Sequence, residues 1–492
     1  MPNWGITQFA IANIGAIAVP VLPGFCSTEL QNILEHAEVK VIFVSRLLAK
    51  CLEGVKTPFL EHKILINNFS TIPEGCYQPE ELDKLVPDIS LNNTTPLPEV
   101  SIEEEDIASI IYTSGTTGFS KGVVLTHKNL VWDARQCHTI QPVDETYRFL
   151  SILPMAHTYE NTLGLLLPLM FGAQVYYLDR VPTPKLLVPA MQKIRPTVVL
   201  SVPLIIEKIY KSQVLPKFTS SKLMSKLYQF APARKLFNRL AGKKLMETFG
   251  GELKFFGIGG SKLDGTVEQF LREAKFPYAI GYRLTETAPM AAGSNPSQTF
   301  LQGVGPVMEG VQIKINDPDK SGQGEIWIKG PNVMKGYYKR PELTAETFTE
   351  DGWFKTGDLG SFDKKNRLAI RGRIKTMILG ASGENIYPEE IESIINNFRF
   401  VNESLVVENS GKLVAMVHFN MEELEKQYQK LKDQAGNYKE KINDYIEEQK
   451  QELRDYVNAR VNNFSKLQLV LVQHEPFEKT PTHKIKRFLY CK

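Results

Sequence analysis

The chain has 492 residues, room for about three structural units or one large domain with a smaller partner. Lys plus Arg (58) nearly balances Asp plus Glu (55), for a formal charge of +3. That balance excludes an acidic tail and argues against a nucleic-acid partner. Five cysteines (Cys26, Cys51, Cys76, Cys137, Cys491) are widely spaced and never form a C-x-x-C pair, which disfavours a disulfide framework and a zinc site and fits a reducing cytoplasm.

The chain opens on an apolar, helix-like segment. Phe9 to Phe25 contains Asn13, Gly15, Pro20 and Pro23 and has no basic leader, so it reads as buried core rather than a signal peptide or a membrane span. Thr28 to Ala37 follows as a helix, with Thr28 and Gln31 at capping-box spacing. Val39–Val44, Ile64–Ile66, Ile107–Tyr112, Phe149–Leu153, Val175–Leu178 and Val198–Val202 are short, β-branched or aromatic runs bounded by turn residues, which predicts buried strands. Their alternation with amphipathic stretches predicts a parallel sheet covered by helices. Between Gln302 and Arg371, Gly, Pro and Asp punctuate strands such as Val311–Ile315 and Gly324–Ile328, predicting a β-rich antiparallel lobe. Beyond Lys375 the texture becomes α+β. In Met421–Arg460, Leu424, Tyr428, Leu431, Ile442, Tyr445, Ile446 and Leu453 recur at helical spacing, as in a pair of solvated helices with one apolar stripe.

The densest chemical signal is Tyr112-Thr113-Ser114-Gly115-Thr116-Thr117-Gly118-Phe119-Ser120-Lys121-Gly122. It follows a predicted strand and offers hydroxyls, flexible glycines and a lysine, the donors a polyphosphate needs. Its spacing is not that of a Walker A loop. Read alone, such a loop is more often a plain turn.

Read in full, the string resembles the signature of the AMP-forming acyl-CoA synthetases, within the acyl-adenylate-forming superfamily. Further motifs of that family stand in order: Leu153-Pro154-Met155-Ala156-His157, Gly257-Ile258-Gly259-Gly260-Ser261, Gly281-Tyr282-Arg283-Leu284-Thr285-Glu286-Thr287, Gly324-Glu325-Ile326-Trp327, Gly352 to Leu359, Arg371-Gly372-Arg373-Ile374-Lys375, Gly383 to Glu392, and Thr480 to Arg487. The resemblance spans essentially the whole chain.

It implies an α/β fold: a large domain (1–374) of parallel βαβ sheets plus a β-rich lobe, and a small mobile α+β C-terminal domain (376–492), hinged at Lys375. It implies two steps, in which a fatty acid carboxylate attacks ATP to give acyl-AMP and pyrophosphate, and CoA then displaces AMP. ATP, Mg²⁺ and CoA are the implied cofactors and co-substrates. Thr113, Ser114, Gly115, Thr116, Thr117, Gly118, Lys121, Gly260 and Ser261 would hold the nucleotide. Tyr282 would stack on adenine, Thr285 contact the α-phosphate, and Asp358 and Arg373 meet the ribose or phosphate. Glu286 is the implied magnesium ligand, a hard carboxylate for a hard cation. Lys484 would be the catalytic lysine, needed because two anions must approach. Taken without the resemblance, Lys484 is one of several residues in a basic C-terminal patch.

His157, Gly257 and Gly259 would line the substrate pocket, the glycines leaving a tunnel open for an acyl chain. Arg283 departs from the family, which usually has glycine there; it must adopt a strained backbone or project into the channel, where it would shorten the accepted acid. Two other readings are a ligase that loads a carrier-protein phosphopantetheine arm and a degenerate nucleotide-binding homologue. The resemblance also implies a strand and helix before Trp4, ~30 residues or more, and hence an exposed apolar patch beside Ile6–Val19. Lys208, Lys211, Lys217, Lys222 and Lys226, interspersed with Leu223, Leu227 and Phe230, suggest peripheral contact with a membrane surface by a cytoplasmic protein, the alternative being an amphipathic helix packed on its own domain. A homodimer stays open.

Overall fold

The computed structural model describes residues 1–87, 99–113, 120–178, 180, 182–219, 221–260, 262–379, 385–409, 411–425, 438–480 and 484–491. Its centre is a six-stranded sheet with the spatial order Met290–Gly293, Tyr278–Arg283, Phe255–Ile258, Val198–Ser201, Arg148–Ser151 and Gln174–Tyr177. All neighbouring pairs run parallel except Tyr278–Arg283 with Met290–Gly293. Side chains alternate across a strand, so one apolar run feeds two cores. Phe149, Val198 and Leu200 enter one core, and Leu150 and Val199 enter the other. Burial on both faces is why these strands read as continuous apolar runs.

Two sequence expectations are corrected. Ile107–Thr113 is not part of a parallel sheet; it pairs antiparallel with Lys121–Thr126, from Ile107 opposite Thr126 to Thr113 opposite Lys121. The stretch of sequence between the two strands is too short for the crossover that parallel pairing requires. The helix Ser27–His36 starts one residue before the expected Thr28, and Glu29 reaches back to accept from the Cys26 N–H at 3.0 Å. Glu29 has a carboxylate in the first turn, where the helix dipole favours it, so the cap uses Cys26 and Glu29 rather than Thr28 and Gln31.

The β-rich lobe is a four-stranded antiparallel sheet ordered Gln312–Asn316, Gly324–Lys329, Phe354–Phe362 and Leu368–Arg373. After Lys375, the strands Val401–Asn409, Lys412–Phe419 and Leu469–Val472 pack with the helices Pro388–Ile395 and Tyr438–Asn458 around a core of their own, including Ile391, Val406, Leu424 and Leu453. Leu424 and Leu453 are fully buried, so the stripe expected in Met421–Arg460 is core-facing where it is described; Tyr428 and Leu431 lie outside the described residues.

Pro2–Asn13 forms a helix that starts with proline at its first turn. The following segment is core only in part: Ala18, Leu22 and Phe25 are buried, whereas Ile6, Phe9, Ile14 and Ile17 are 42–57% exposed. Among the described residues, no helix is long and apolar enough to cross a membrane.

Candidate active site

Parallel strands deliver side chains to a shared carboxyl edge, where α/β sheets form their crevices. Here that edge carries Ile152 to His157, Val202 to Ile205, Gly259 and Gly260, and Tyr282 to Glu286, and it opens into a continuous cavity of about 3640 Å³. The opposite wall comes from the β-rich lobe and the C-terminal segment through Asp358, Arg373, Lys375 and Lys484. Most of the residues singled out from sequence that fall within the described residues meet at this cavity. Ser114, Gly115, Thr116, Thr117, Gly118 and Ser261 lie outside them.

Asp358 and Arg373 face each other across adjacent strands. Arg373 Nε stands 3.1 Å from Asp358 Oδ1, and the Tyr282 hydroxyl donates to Asp358 Oδ2 at 2.7 Å. Asp358 and Tyr282 are buried; burial and the neighbouring carboxylate hold the Tyr282 phenol well above its usual range, so it remains a donor. Thr285 and Glu286 lie on the single 3₁₀ turn that ends the strand, and the Tyr337 hydroxyl donates to Glu286 Oε1 at 3.0 Å. Lys121 sits 5.1 Å from the Tyr337 ring; its pKa is lowered by burial and by Lys375 opposite, against the pull of Glu286. Thr113, the last residue of its strand, and Lys375 also line the cavity.

Lys484 is carried by a tight hairpin in which Lys479 bridges Ile485 and the Thr480 N–H donates to the Lys484 carbonyl at 2.8 Å. Lys484 lines the cavity and is exposed to it, with protein packed densely around it. Burial and then Arg373 hold its pKa down to about 8, with Arg283 adding to the effect and Asp358 and Glu286 opposing it. The segment after Lys375 also meets the large lobe through the helix Pro388–Ile395 and the two residues that follow it. Lys262 pairs with Glu390 at 3.1 Å, Asn397 donates to Asp264, and Lys211 donates to the Asn396 carbonyl.

His157 is neutral. Its Nδ1 accepts from the Tyr159 N–H at 3.2 Å, which leaves the proton on Nε2, and burial followed by Arg283 and Lys484 pushes its pKa to about 3.

Arg283 resolves one alternative and corrects another expectation. It continues an extended strand, so its backbone is unstrained, and its side chain turns inward. The guanidinium lies 3.7 Å from the centre of the Tyr159 ring, and its Nε has no partner among the described residues. A Cβ placed on Gly259 would meet Arg283 Nε at 2.1 Å, and one on Gly257 would meet the Tyr159 hydroxyl at 2.6 Å. These glycines therefore do not leave a tunnel open: their space is filled by Arg283 and Tyr159, and Gly257 does not line the cavity. Gly260, at φ 110°, needs the freedom of glycine. Behind Arg283 sits Glu160, fully buried on a π-helical turn (Glu160–Leu166), its carboxyl pushed up to about 8 by burial and hence protonated at neutral pH.

Sequence reasoning missed Tyr337, Tyr159 and Glu160. Tyr337 belongs to a Gly-Tyr-Tyr string 51 positions from its partner Glu286, and a π-turn leaves no periodic trace, so no local signal marks any of them.

Among the described residues no group of three or more His, Cys, Asp or Glu could hold a metal. A lone carboxylate such as Glu286 would suit Mg²⁺ only where phosphates supply the other oxygens.

Comparison with known proteins agrees with this architecture. Over the full chain, the structure superposes on ATP-bound MatB from Rhodopseudomonas palustris with a TM-score of 0.74 at 20% identity, covering 86% of that protein. O-succinylbenzoate CoA synthetase from Bacillus subtilis, in complex with ATP and magnesium, gives 0.72 at 21% identity, with 99% of this chain and 86% of that one covered. Similar sequences include the peroxisomal long chain acyl-CoA synthetase 6 of Arabidopsis thaliana, 28% identical over 99% of this chain and 74% of its own length. The long-chain-fatty-acid–CoA ligase heimdall of Drosophila melanogaster is 30% identical over 80% of this chain, which spans 62% of that relative. The profile of the AMP-binding enzymes matches residues 1–338, which contain the Thr/Ser/Gly loop, the Tyr282–Glu286 turn and the strands that present them, and on that match the chain belongs to the AMP-binding enzyme family.

Proposed function

We propose that the chain is an AMP-forming ligase that activates a long-chain fatty acid with ATP and passes the acyl group to CoA. In the first step a carboxylate oxygen bonds to the α-phosphorus of ATP while the bond to the bridging oxygen of pyrophosphate breaks. In the second, the CoA sulfur bonds to the acyl carbon and AMP leaves with the oxygen.

The observation that carries this reading is the convergence of Lys484, Arg373, Glu286 and the Tyr282–Asp358 pair on one cavity at the carboxyl edge of the parallel sheet. Fixed cations at a meeting point of two anions are what the first step requires. Lys484 would offset charge there, His157 would donate from Nε2, and Asp358 would accept hydroxyl donors while Arg373 orients it. Glu286, with Tyr337 fixing its carboxylate, would hold Mg²⁺, which when bound with the nucleotide neutralises phosphate charge. Thr113, Lys121, Thr285 and Gly260 would border the phosphates. Residues 376–492 would turn about Lys375 between the steps, withdrawing the Lys484 hairpin; the separate core beyond Lys375 supports this division. The five cysteines stand as free thiols, which supports a cytoplasmic site of action.

Pyrophosphate release measured with a series of fatty acids from short to long, each with CoA and with holo carrier protein, tests the reading. Release that depends on a long-chain acid, and a thioester formed with free CoA, are expected. Release that is independent of acid, or a thioester formed only with carrier protein, would contradict it.

A further inference from the structure

Between Glu207 and Glu247 the sequence has ten Lys or Arg residues and no Asp or Glu. Most of these cations lie on the helices Lys222–Gln229 and Ala231–Thr248. The second helix packs on its domain through Asn238, Gly242 and Leu245, recurring at 4 and 3 residues on one side. Its other side carries Leu236 and Leu240, 58% and 61% exposed, with Lys235, Arg239, Lys243 and Lys244 exposed around them. Leu223 (70%) and Phe230 (63%) extend the apolar stripe onto the preceding helix, beside exposed Lys226.

None of these features is used by the fold. The inner side of the long helix already satisfies its packing, and the ion pair formed on it belongs to Arg234, which turns inward to Glu273 at 2.9 Å. Among the described residues, no ion pair engages Lys226, Lys235, Arg239, Lys243 or Lys244. Lys211, by contrast, bonds to the Asn396 carbonyl and does not belong to this face.

We propose that this face docks on an anionic lipid surface. Large aliphatic and aromatic side chains projecting from a helix, ringed by unpaired cations, match the interfacial layer of a bilayer: apolar groups sink to the acyl boundary and lysines meet the headgroups. The long helix spans roughly 27 Å, enough to lie in that plane. A second copy of the chain fits poorly, because a two-fold interface would set the same cations against each other. The helical run begins at the cavity wall, where Leu204, 61% exposed, and Ile205 line the opening. The surface stands independently of the reaction proposed above.

The test is co-sedimentation of the full chain with phosphatidylcholine vesicles with and without phosphatidylglycerol. Binding to the anionic vesicles, weakened by salt, is expected. It should fall about tenfold or more in Lys235→Glu/Arg239→Glu/Lys243→Glu, and likewise in Leu223→Ser/Phe230→Ser/Leu240→Ser. Circular dichroism and thermal unfolding like the parent's show that both variants fold. Absence of binding to anionic vesicles, binding that both variants retain, or a loss confined to the charge variant would overturn docking by this face. So would a parent dimer that the serine variant dissolves without any vesicle binding.

Discussion

Lys484 carries a pH signature. Its ammonium, held near 8 by burial and Arg373, is charged below that pH and neutral above it. The charged form is the one that stabilises two approaching anions, so kcat/KM for pyrophosphate release is expected to fall as pH rises through about 8. His157, near 3, and Arg283, near 10, do not change charge in that window, whereas Glu160, near 8 behind Arg283, does, so the Lys484 variant is what assigns the limb. In Lys484→Arg the guanidinium stays charged, and the falling limb should move up by about two pH units or more. A limb left in place would assign it to another group, with Glu160 the first to examine.

For Glu286→Gln, the amide oxygen can still accept from Tyr337, so the fold should hold while the Mg²⁺ concentration for half-maximal rate rises about tenfold or more. A magnesium titration that superposes on the parent's would remove Glu286 as the ligand. Arg283→Gly should empty the space over Gly259 and lengthen the preferred acid. Each added methylene that finds apolar contact contributes about 0.8 kcal/mol, or roughly fourfold in kcat/KM. Chain-length profiles that coincide would show that Arg283 does not limit the channel.

At the level of elements, the helix His127–Ile140 offers a stability test. Thr126 and Asn129 form a reciprocal, buried capping box, with the Asn129 N–H donating to Thr126 Oγ1 at 3.1 Å and the Thr126 N–H to Asn129 Oδ1 at 2.8 Å. Thr126→Ala should lower the unfolding free energy by about 1 to 2 kcal/mol in urea titrations; an unchanged midpoint would show that the box contributes nothing. This cap was legible in sequence only in hindsight, because Thr-x-x-Asn lacks the Glu or Gln that signals the motif. The strands were legible where burial on both faces forces continuous apolar runs, as in Val198–Ser201. Their partners were not: nothing local distinguishes the hairpin strand Ile107–Thr113 from its parallel neighbours, since pairing is set by residues beyond the loop. Ordered motifs identified the cavity's Tyr282, Glu286, Asp358 and Lys484 because their spacing is family-specific, whereas the side chains that fill the space over Gly257 and Gly259 depend on long-range packing and could not be read.

For the molecule as a whole, the account depends on two bodies of structure meeting over one cavity. The sheet edge supplies Tyr282 to Glu286, and the segment after Lys375 supplies the Lys484 hairpin and meets the large lobe through Lys262–Glu390, Asn397–Asp264 and Lys211–Asn396. If that hairpin serves the joining of two anions and then withdraws, its lysine matters to one half-reaction alone. The direct measurement is to compare Lys484→Ala with the parent in both halves: pyrophosphate release from ATP and fatty acid, and thioester formation from supplied acyl-AMP and CoA. The account predicts that the first is nearly abolished while the second remains within a few-fold of the parent. An equal loss in both halves would contradict it.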